Sequence, residues 1–125
     1  MKEVMAVIRI NKINETKRAL ADAGISSLTA RDALGRGKGL VDMTLLKGAE
    51  QGYEEAISQL GQSQRLIPKR ILFIVVKDNM VKKTVKTIIK VNQTGKSGDG
   101  KIFVLPISDS ISVRTEKSGD ITLDD

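Results

Sequence analysis

The stretch ILFIVVKDNMVKKTVKTIIKVNQTGKSGDGKIFVLPI (71–107) is the most regular part of the chain. Its two ends, ILFIVV (71–76) and IFVLPI (102–107), are apolar and rich in β-branched residues, which favours strands. Between them, Asp78 is a candidate N-cap for a helix whose apolar residues fall on one face: Val81, Val85, Ile88 and Ile89. This part of the chain therefore predicts a βαβ unit.

The amino-terminal part repeats that pattern. EVMAVIRI (3–10) alternates like a strand, NETKRALADAG (14–24) predicts a helix capped by Asn14 and ended by Gly24, and SSLTARDAL (26–34) predicts a second strand. Two βαβ units in succession predict an α+β fold, the ferredoxin-like βαββαβ sandwich. A short further strand is predicted at ISVRT (111–115), and the stretch 40–68 is a long loop of the length that usually serves a function or is disordered.

The predicted sheet has apolar residues on both faces. In this fold both helices cover one face, so the other face of a monomer should be polar. ILFIVV and IFVLPI are instead apolar on both sides. The second face is therefore expected to be covered, either by another copy of the chain or by a loop.

Composition excludes several classes of function. The 125 residues contain no Cys and no His, so disulfides, zinc sites and Ser-His or Cys-His catalysis are excluded. The net charge of +6 suits polyanionic ligands, but three aromatic residues are too few to stack single-stranded bases. No apolar run reaches the length of a membrane span and the amino terminus does not resemble a signal peptide, so we expect a cytoplasmic protein without nucleic-acid binding or membrane insertion.

The glycine-rich loop TGKSGDGK (94–101) fits most of the P-loop spacing GxxxxGK. Ile102 stands where a P-loop has Ser or Thr, and the loop follows a helix and opens a strand, which is the reverse of the P-loop order. Three glycines with two lysines nevertheless suit an anion-binding nest of backbone amides, with Asp99 bonding the backbone to order the loop. A helix C-cap followed by a tight turn is the alternative.

The stretch TGKSGDGKIFVLPI (94–107) resembles the carboxy-terminal signature of the PII family of nitrogen-regulatory signal-transduction proteins. Further resemblance lies in TARDALGRGKG (29–39), LLKGAE (45–50) and PKRILFIVV (68–76). The resemblance implies a trimer whose domain covers residues 1–115, with a target-binding T-loop at 36–67 and a tail at 116–125.

The resemblance also implies ligands. The family binds ATP or ADP between subunits, and it binds 2-oxoglutarate through magnesium-ATP. Carried over to this sequence, the nucleotide-binding residues are Thr29, Gly35, Gly37, Lys38, Val75, Gly98, Asp99, Gly100, Lys101 and Arg114, with Thr29 and Val75 flanking the adenine. The 2-oxoglutarate-binding residues are Arg9, Gly37, Lys38, Gly39 and Lys69. For Arg9, a salt bridge across a subunit interface is the alternative.

Three positions depart from the family pattern. Gly39 replaces a Gln that helps to hold magnesium, Ser112 replaces one of two arginines, and Gln51 stands where one branch carries a modified Tyr. The first departure puts direct magnesium coordination in question, so no metal-ligating residue is predicted.

The T-loop is longer than usual, which resembles the nitrogenase-associated archaeal branch, and within it the second of two paralogues. This branch implies a sensor of nitrogen status, not an enzyme, that regulates a nitrogenase component by direct contact as a homotrimer or with its paralogue. The alternative is a PII regulator of an ammonium transporter. Such a regulator would insert an Arg at the tip of its T-loop into the transporter pore, and this sequence has Lys47 at that position. RNA binding is disfavoured because the first predicted strand has no aromatic residue.

Overall fold

A computed structural model describes residues 1–37 and 66–124. Within these ranges it contains four strands, β1 (Lys2–Arg9), β2 (Thr29–Gly35), β3 (Ile67–Val76) and β4 (Lys101–Pro106), and two α-helices, α1 (Ile13–Asp22) and α2 (Val81–Asn92). The strand order is β2-β3-β1-β4. This is the predicted ferredoxin-like order. No helix within the described residues is long and apolar enough to cross a membrane.

The chain divides into a main unit, Met1–Ala33 with Lys69–Asp125, and a smaller unit, Leu34–Pro68. Within the smaller unit the structure describes only the end of β2 with the residues that follow it and the beginning of β3 with the residue before it. The core and the loop contacts described below belong to the main unit.

The core lies between the sheet and the two helices. β1 runs antiparallel to both β3 and β4, so that Val4 is paired with Ile74 on one side and with Val104 on the other. Alternate residues of the two central strands are buried on the helix side, and the helices add their own apolar faces. The buried apolar residues are Val4, Ala6, Ile8, Leu20, Ile25, Leu72, Ile74, Val76 and Ile88.

The opposite face of the sheet is apolar, as predicted. Met5 of β1 is paired with Phe73 of β3 and with Phe103 of β4, which places three large apolar side chains side by side. Phe103 and Leu105 are 44% and 37% exposed in the single chain. This face is therefore suited to packing against another apolar surface.

The predicted N-cap residues of both helices are wrong. The N-cap residues are Lys12 and Met80 rather than Asn14 and Asp78, and neither makes a side-chain capping bond. A 3-10 turn precedes each helix, Ile10–Lys12 before α1 and Asp78–Met80 before α2. Its carbonyls accept the first helical amides, so a side-chain cap is not needed there.

The third strand begins earlier than its apolar run. The sequence predicts 71–76, whereas β3 spans Ile67–Val76 and contains Pro68. Lys69 and Arg70 are paired with Arg9 and Ile8 of β1, which extends the ladder by polar residues. Pairing with β1 carries the strand back to Lys69, two residues before its apolar run, which apolar periodicity alone does not indicate.

The short strand predicted at 111–115 is also wrong. Ile111 forms only an isolated bridge with Ser118, and residues 113–115 form a turn. The amide of Glu116 donates to the carbonyl of Ser112 at 2.9 Å, so the chain reverses direction within the predicted strand. A third 3-10 turn, Asp120–Asp124, follows.

Candidate functional site: a glycine loop with two basic residues

The loop between α2 and β4 needs its glycines for two different reasons. Gly95, Gly98 and Gly100 all have positive φ, at 83°, 97° and 116°, a region that residues with a side chain rarely adopt. Gly100 also lies directly against β1, because a Cβ added to it would stand 2.0 Å from the carbonyl oxygen of Val7. The loop is therefore packed on the backbone of the first strand.

Asp99 holds this loop together. Its carboxylate accepts hydrogen bonds from the amide of Thr94 at 2.8 Å, from the amide of Gly95 at 2.9 Å and from the hydroxyl of Thr94. The bond from the Thr94 hydroxyl, followed by that from the Thr94 amide, lowers the pKa of Asp99 well below its ordinary value, and Arg9 and the Gly95 amide lower it further. The expected role of Asp99 in ordering the loop agrees with these bonds.

Two basic residues from the central strands contact the same loop. Arg9 and Lys69 are paired across β1 and β3. Arg9 forms an ion pair with Asp99, its Nη1 lying 2.7 Å from Oδ1, and its Nη2 donates to the carbonyl oxygen of Ser97 at 3.1 Å. Lys69 Nζ donates to the carbonyl oxygen of Gly98 at 3.2 Å. Positive charge from two strands thus converges on one loop.

The charges of Arg9 and Lys69 are neutralised to different degrees. Arg9 has a carboxylate partner, Asp99, within its own chain. Among the described residues, no carboxylate forms an ion pair with Lys69. Within the described part of the chain, the positive charge of Lys69 beside the loop is therefore not neutralised, and its ammonium group has hydrogens beyond the one given to Gly98.

Lys101 is a further basic residue at the end of the sheet where the glycine loop lies. It is the first residue of β4, is exposed, and is paired with Val7 of β1. The structure therefore brings together six of the predicted ligand-binding residues: Arg9, Lys69, Gly98, Asp99, Gly100 and Lys101.

Val75, one of the two predicted adenine contacts, lies at the other end of β3 from Lys69. Val75 is paired with Glu3, whereas Lys69 is paired with Arg9. Six residues along a strand correspond to about 20 Å. Thr29, the first residue of β2, is exposed. Within one protomer, Val75 and the glycine loop are therefore separate.

The remaining predicted residues have other positions. Arg114 lies in the turn at residues 113–115. Gly35 ends β2 and Gly37 follows it, both in the smaller unit. Lys38 and Gly39 lie outside the described residues.

Magnesium has no obvious ligand set in the described part of the chain. Within residues 1–37 and 66–124 no group of three or more His, Cys, Asp or Glu side chains is placed to hold a metal ion. Asp99, the carboxylate of the glycine loop, is already bonded to Thr94, Gly95 and Arg9. Asp99 is therefore poorly suited to coordinate a metal.

Sequence reasoning missed Thr94 and the partner of Arg9. Thr94 follows the end of α2 and provides two of the bonds to Asp99. In the sequence, a Thr five positions before an Asp in a glycine-rich loop indicates that the two residues could bond to each other across the loop. The Arg9–Asp99 pair spans 90 residues, and no local pattern indicates it.

Comparison with known proteins gives consistent matches over nearly the whole chain. The family model "Nitrogen regulatory protein P-II" matches residues 1–117. "Nitrogen fixation nifHD region GlnB-like protein 2" of Methanobacterium ivanovii is 45% identical over 120 residues, covering 96% of this chain and 97% of that protein. "Nitrogen regulatory protein P-II" of Azospirillum brasilense is 34% identical over 121 residues, covering 96% of this chain and 98% of that protein.

A solved structure agrees with these matches. The crystal structure of Arabidopsis thaliana PII bound to citrate superposes with a TM-score of 0.71 at 32% sequence identity. It covers 96% of this chain and 86% of the Arabidopsis chain.

Proposed function

Because the chain belongs to the PII family of nitrogen regulatory proteins, we propose that it is a nitrogen-status sensor that binds adenine nucleotide and 2-oxoglutarate and regulates nitrogenase. The methanogen relatives confirm the predicted branch, the second paralogue associated with nitrogen fixation. The proposed route of regulation is direct contact with a nitrogenase component through the T-loop, residues 36–67, in the cytoplasm. As in other members of this regulatory family, the role is signalling rather than catalysis.

The observation that carries this proposal is the unneutralised charge of Lys69 beside the glycine loop. A cation without a carboxylate partner can give a carboxylate ligand a charge-assisted hydrogen bond without first losing an ion pair, and Lys69 meets that condition among the described residues. Arg9, paired with Asp99, has further guanidinium hydrogens to offer the second carboxylate of 2-oxoglutarate. The citrate in the Arabidopsis protein supports small-carboxylate binding by a relative.

The nucleotide is proposed to lie between two protomers. Its phosphates would contact the residues of the glycine loop, Gly98, Asp99, Gly100 and Lys101, and its adenine would contact Thr29 and Val75. Since Val75 lies about 20 Å along β3 from Lys69, which contacts the glycine loop, one group from each of two protomers would account for both sets of contacts. Gly35, Gly37, Lys38, Gly39 and Arg114 remain proposed contacts on the family resemblance.

The assembly follows from the same proposal. The apolar sheet face with Phe103 and Leu105 would be buried between protomers of a homotrimer, or of a hetero-oligomer with a paralogue. Magnesium would arrive with the nucleotide and neutralise its phosphates, while the chain's own residues hold the phosphate and carboxylate oxygens.

Regulation would be a ligand-coupled change in the T-loop. A ligand shifts a conformational equilibrium only through different affinities for the two states. If 2-oxoglutarate weakens binding of the target, the target must weaken binding of 2-oxoglutarate by the same factor. Unequal factors measured in the two directions would contradict this two-state scheme.

Calorimetric titration tests the ligand-binding part of the proposal. We expect 2-oxoglutarate to bind only when ATP and magnesium are present. Lys69→Ala should weaken 2-oxoglutarate at least tenfold, since a charge-assisted hydrogen bond contributes about 1.5–3 kcal/mol, and should leave ATP affinity nearly unchanged. Lys90→Ala, an exposed lysine of α2, is the control and should behave like the wild type.

The titration has two results that would contradict the proposal. One is an absence of ATP and 2-oxoglutarate binding both alone and after addition of the paralogue. The other is an equal loss of 2-oxoglutarate affinity in Lys69→Ala and Lys90→Ala, which would show a general charge effect instead of a site.

A further inference from the structure

A cavity of about 380 Å³ lies beside the predicted adenine contact. It is lined by residues 24–27, which follow α1, by residues 75–77 at the end of β3, by Met80 and by Leu123. Its volume is within the range of small-molecule sites, about 300–1,000 Å³. Val75, the predicted neighbour of the adenine, is one of its walls.

Leu123 reaches this cavity from the far end of the chain. It belongs to the 3-10 turn Asp120–Asp124, and it is half-buried. Ile121, two residues earlier in the same turn, is 66% exposed and does not line the cavity. The turn therefore presents one of its two large aliphatic side chains to the cavity and the other to solvent.

The turn is held in place by polar bonds that do not involve the Leu123 side chain. The hydroxyl of Thr122 lies 2.6 Å from the Ser110 hydroxyl and 2.7 Å from the carbonyl oxygen of Gly119. The amide of Gly119 donates to the Ser110 carbonyl oxygen at 3.0 Å. Shortening Leu123 should therefore leave the turn where it is, so that any effect reports on the cavity.

We propose that Leu123 is a contact for the base of the bound nucleotide, forming an aliphatic surface together with Val75. Leu123 offers an aliphatic side chain to a flat face of a purine, Val75 forms part of the same cavity wall, and Ser26 and Ser27 offer polar groups for the edge of the base. The carboxy-terminal turn then belongs to the nucleotide site and is not merely a tail. This inference rests on the proposed function, because it needs adenine to occupy the cavity.

The test is ATP titration of full-length variants by calorimetry. Leu123→Ala should weaken ATP binding about tenfold, the loss expected for apolar contact equal to one or two methylene groups. Ile121→Ala, in the same turn but facing solvent, should bind ATP like the wild type. Leu123→Met, which keeps the volume and apolar character, should restore most of the affinity.

A second measurement separates contact with the base from an indirect effect. With methyl-labelled leucine, the bound state should show a nuclear Overhauser effect between the Leu123 methyl groups and the adenine protons. ATP affinity of Leu123→Ala within twofold of the wild type would overturn the inference, as would equal losses in Leu123→Ala and Ile121→Ala. Failure of the wild type to bind ATP would instead overturn the proposed function on which the inference rests.

Discussion

Replacing Gly100 by alanine should destabilise the protein more than the same change at Gly95. Both glycines are in the loop between α2 and β4, and both have positive φ, 116° and 83°. They differ in their surroundings. A Cβ at Gly95 meets nothing within 4 Å, whereas a Cβ at Gly100 stands 2.0 Å from the carbonyl oxygen and 3.1 Å from the carbonyl carbon of Val7.

The expected magnitudes follow from that difference. A left-handed backbone costs a residue with a side chain about 1–2 kcal/mol, which is the whole effect expected for Gly95→Ala. Gly100→Ala adds a collision with the backbone of a central strand, which cannot rotate away as a flexible side chain could. The loop or β1 must shift, and a total of about 3–5 kcal/mol is expected, within the range of the most disruptive single substitutions.

Urea unfolding of both variants and the wild type measures these costs, at one protomer concentration because an oligomer's stability depends on it. We expect the free energy of unfolding to fall by at least about 1.5 kcal/mol more in Gly100→Ala than in Gly95→Ala. Equal losses in the two variants would refute the argument from close packing on Val7 and would leave backbone conformation as the whole explanation.

Two further predictions concern polar contacts. The pKa of Asp99 is lowered in the folded state, so its contribution to stability is present above its ordinary pKa of 3.8 and is lost as the pH falls toward the lower folded value. Between pH 4 and more acidic values, the stability of Asp99→Asn measured by urea unfolding should fall less steeply than that of the wild type; parallel curves would contradict this. The buried Asn92 amide donates to Thr16 Oγ1 at 3.0 Å and to the Ile88 carbonyl oxygen at 2.9 Å, so Asn92→Ala should cost about 1–3 kcal/mol in thermal or urea unfolding. The exposed neighbour variant Gln93→Ala should lose less than about 0.5 kcal/mol, and a similar loss in both would show that the Asn92 bonds contribute little.

The regular elements were predictable because burial imposes a pattern on the residues themselves. The apolar run 71–76 lies in β3, the run 102–107 lies in β4 except for its last residue, and the helical spacing after residue 80 corresponds to α2. The boundaries were less predictable. β3 begins at Ile67, four residues before its apolar run, and only Lys69 and Arg70 of these four are paired with β1. A Pro followed by two basic residues does not resemble a strand until that pairing is known.

The chemistry of the candidate site was predictable only in its local part. Three glycines and two lysines within 94–101 indicate an anion-binding loop. The signal is local, because the positions that adopt positive φ are occupied by glycines a few residues apart. The partner of Arg9 was not predictable, since Asp99 lies 90 positions away and the two meet only because the loop packs on β1.

By itself, the sequence determined the order of strands and helices up to residue 107, the fold class and the glycine loop, because each depends on residues close together along the chain. The tertiary structure alone decided that Arg9 and Lys69 converge on that loop, leaving one of the two charges without a carboxylate among the described residues. It also placed Leu123 beside Val75. The register between strands and the path of the carboxy-terminal turn produce these contacts, and both are set by packing across the whole main unit.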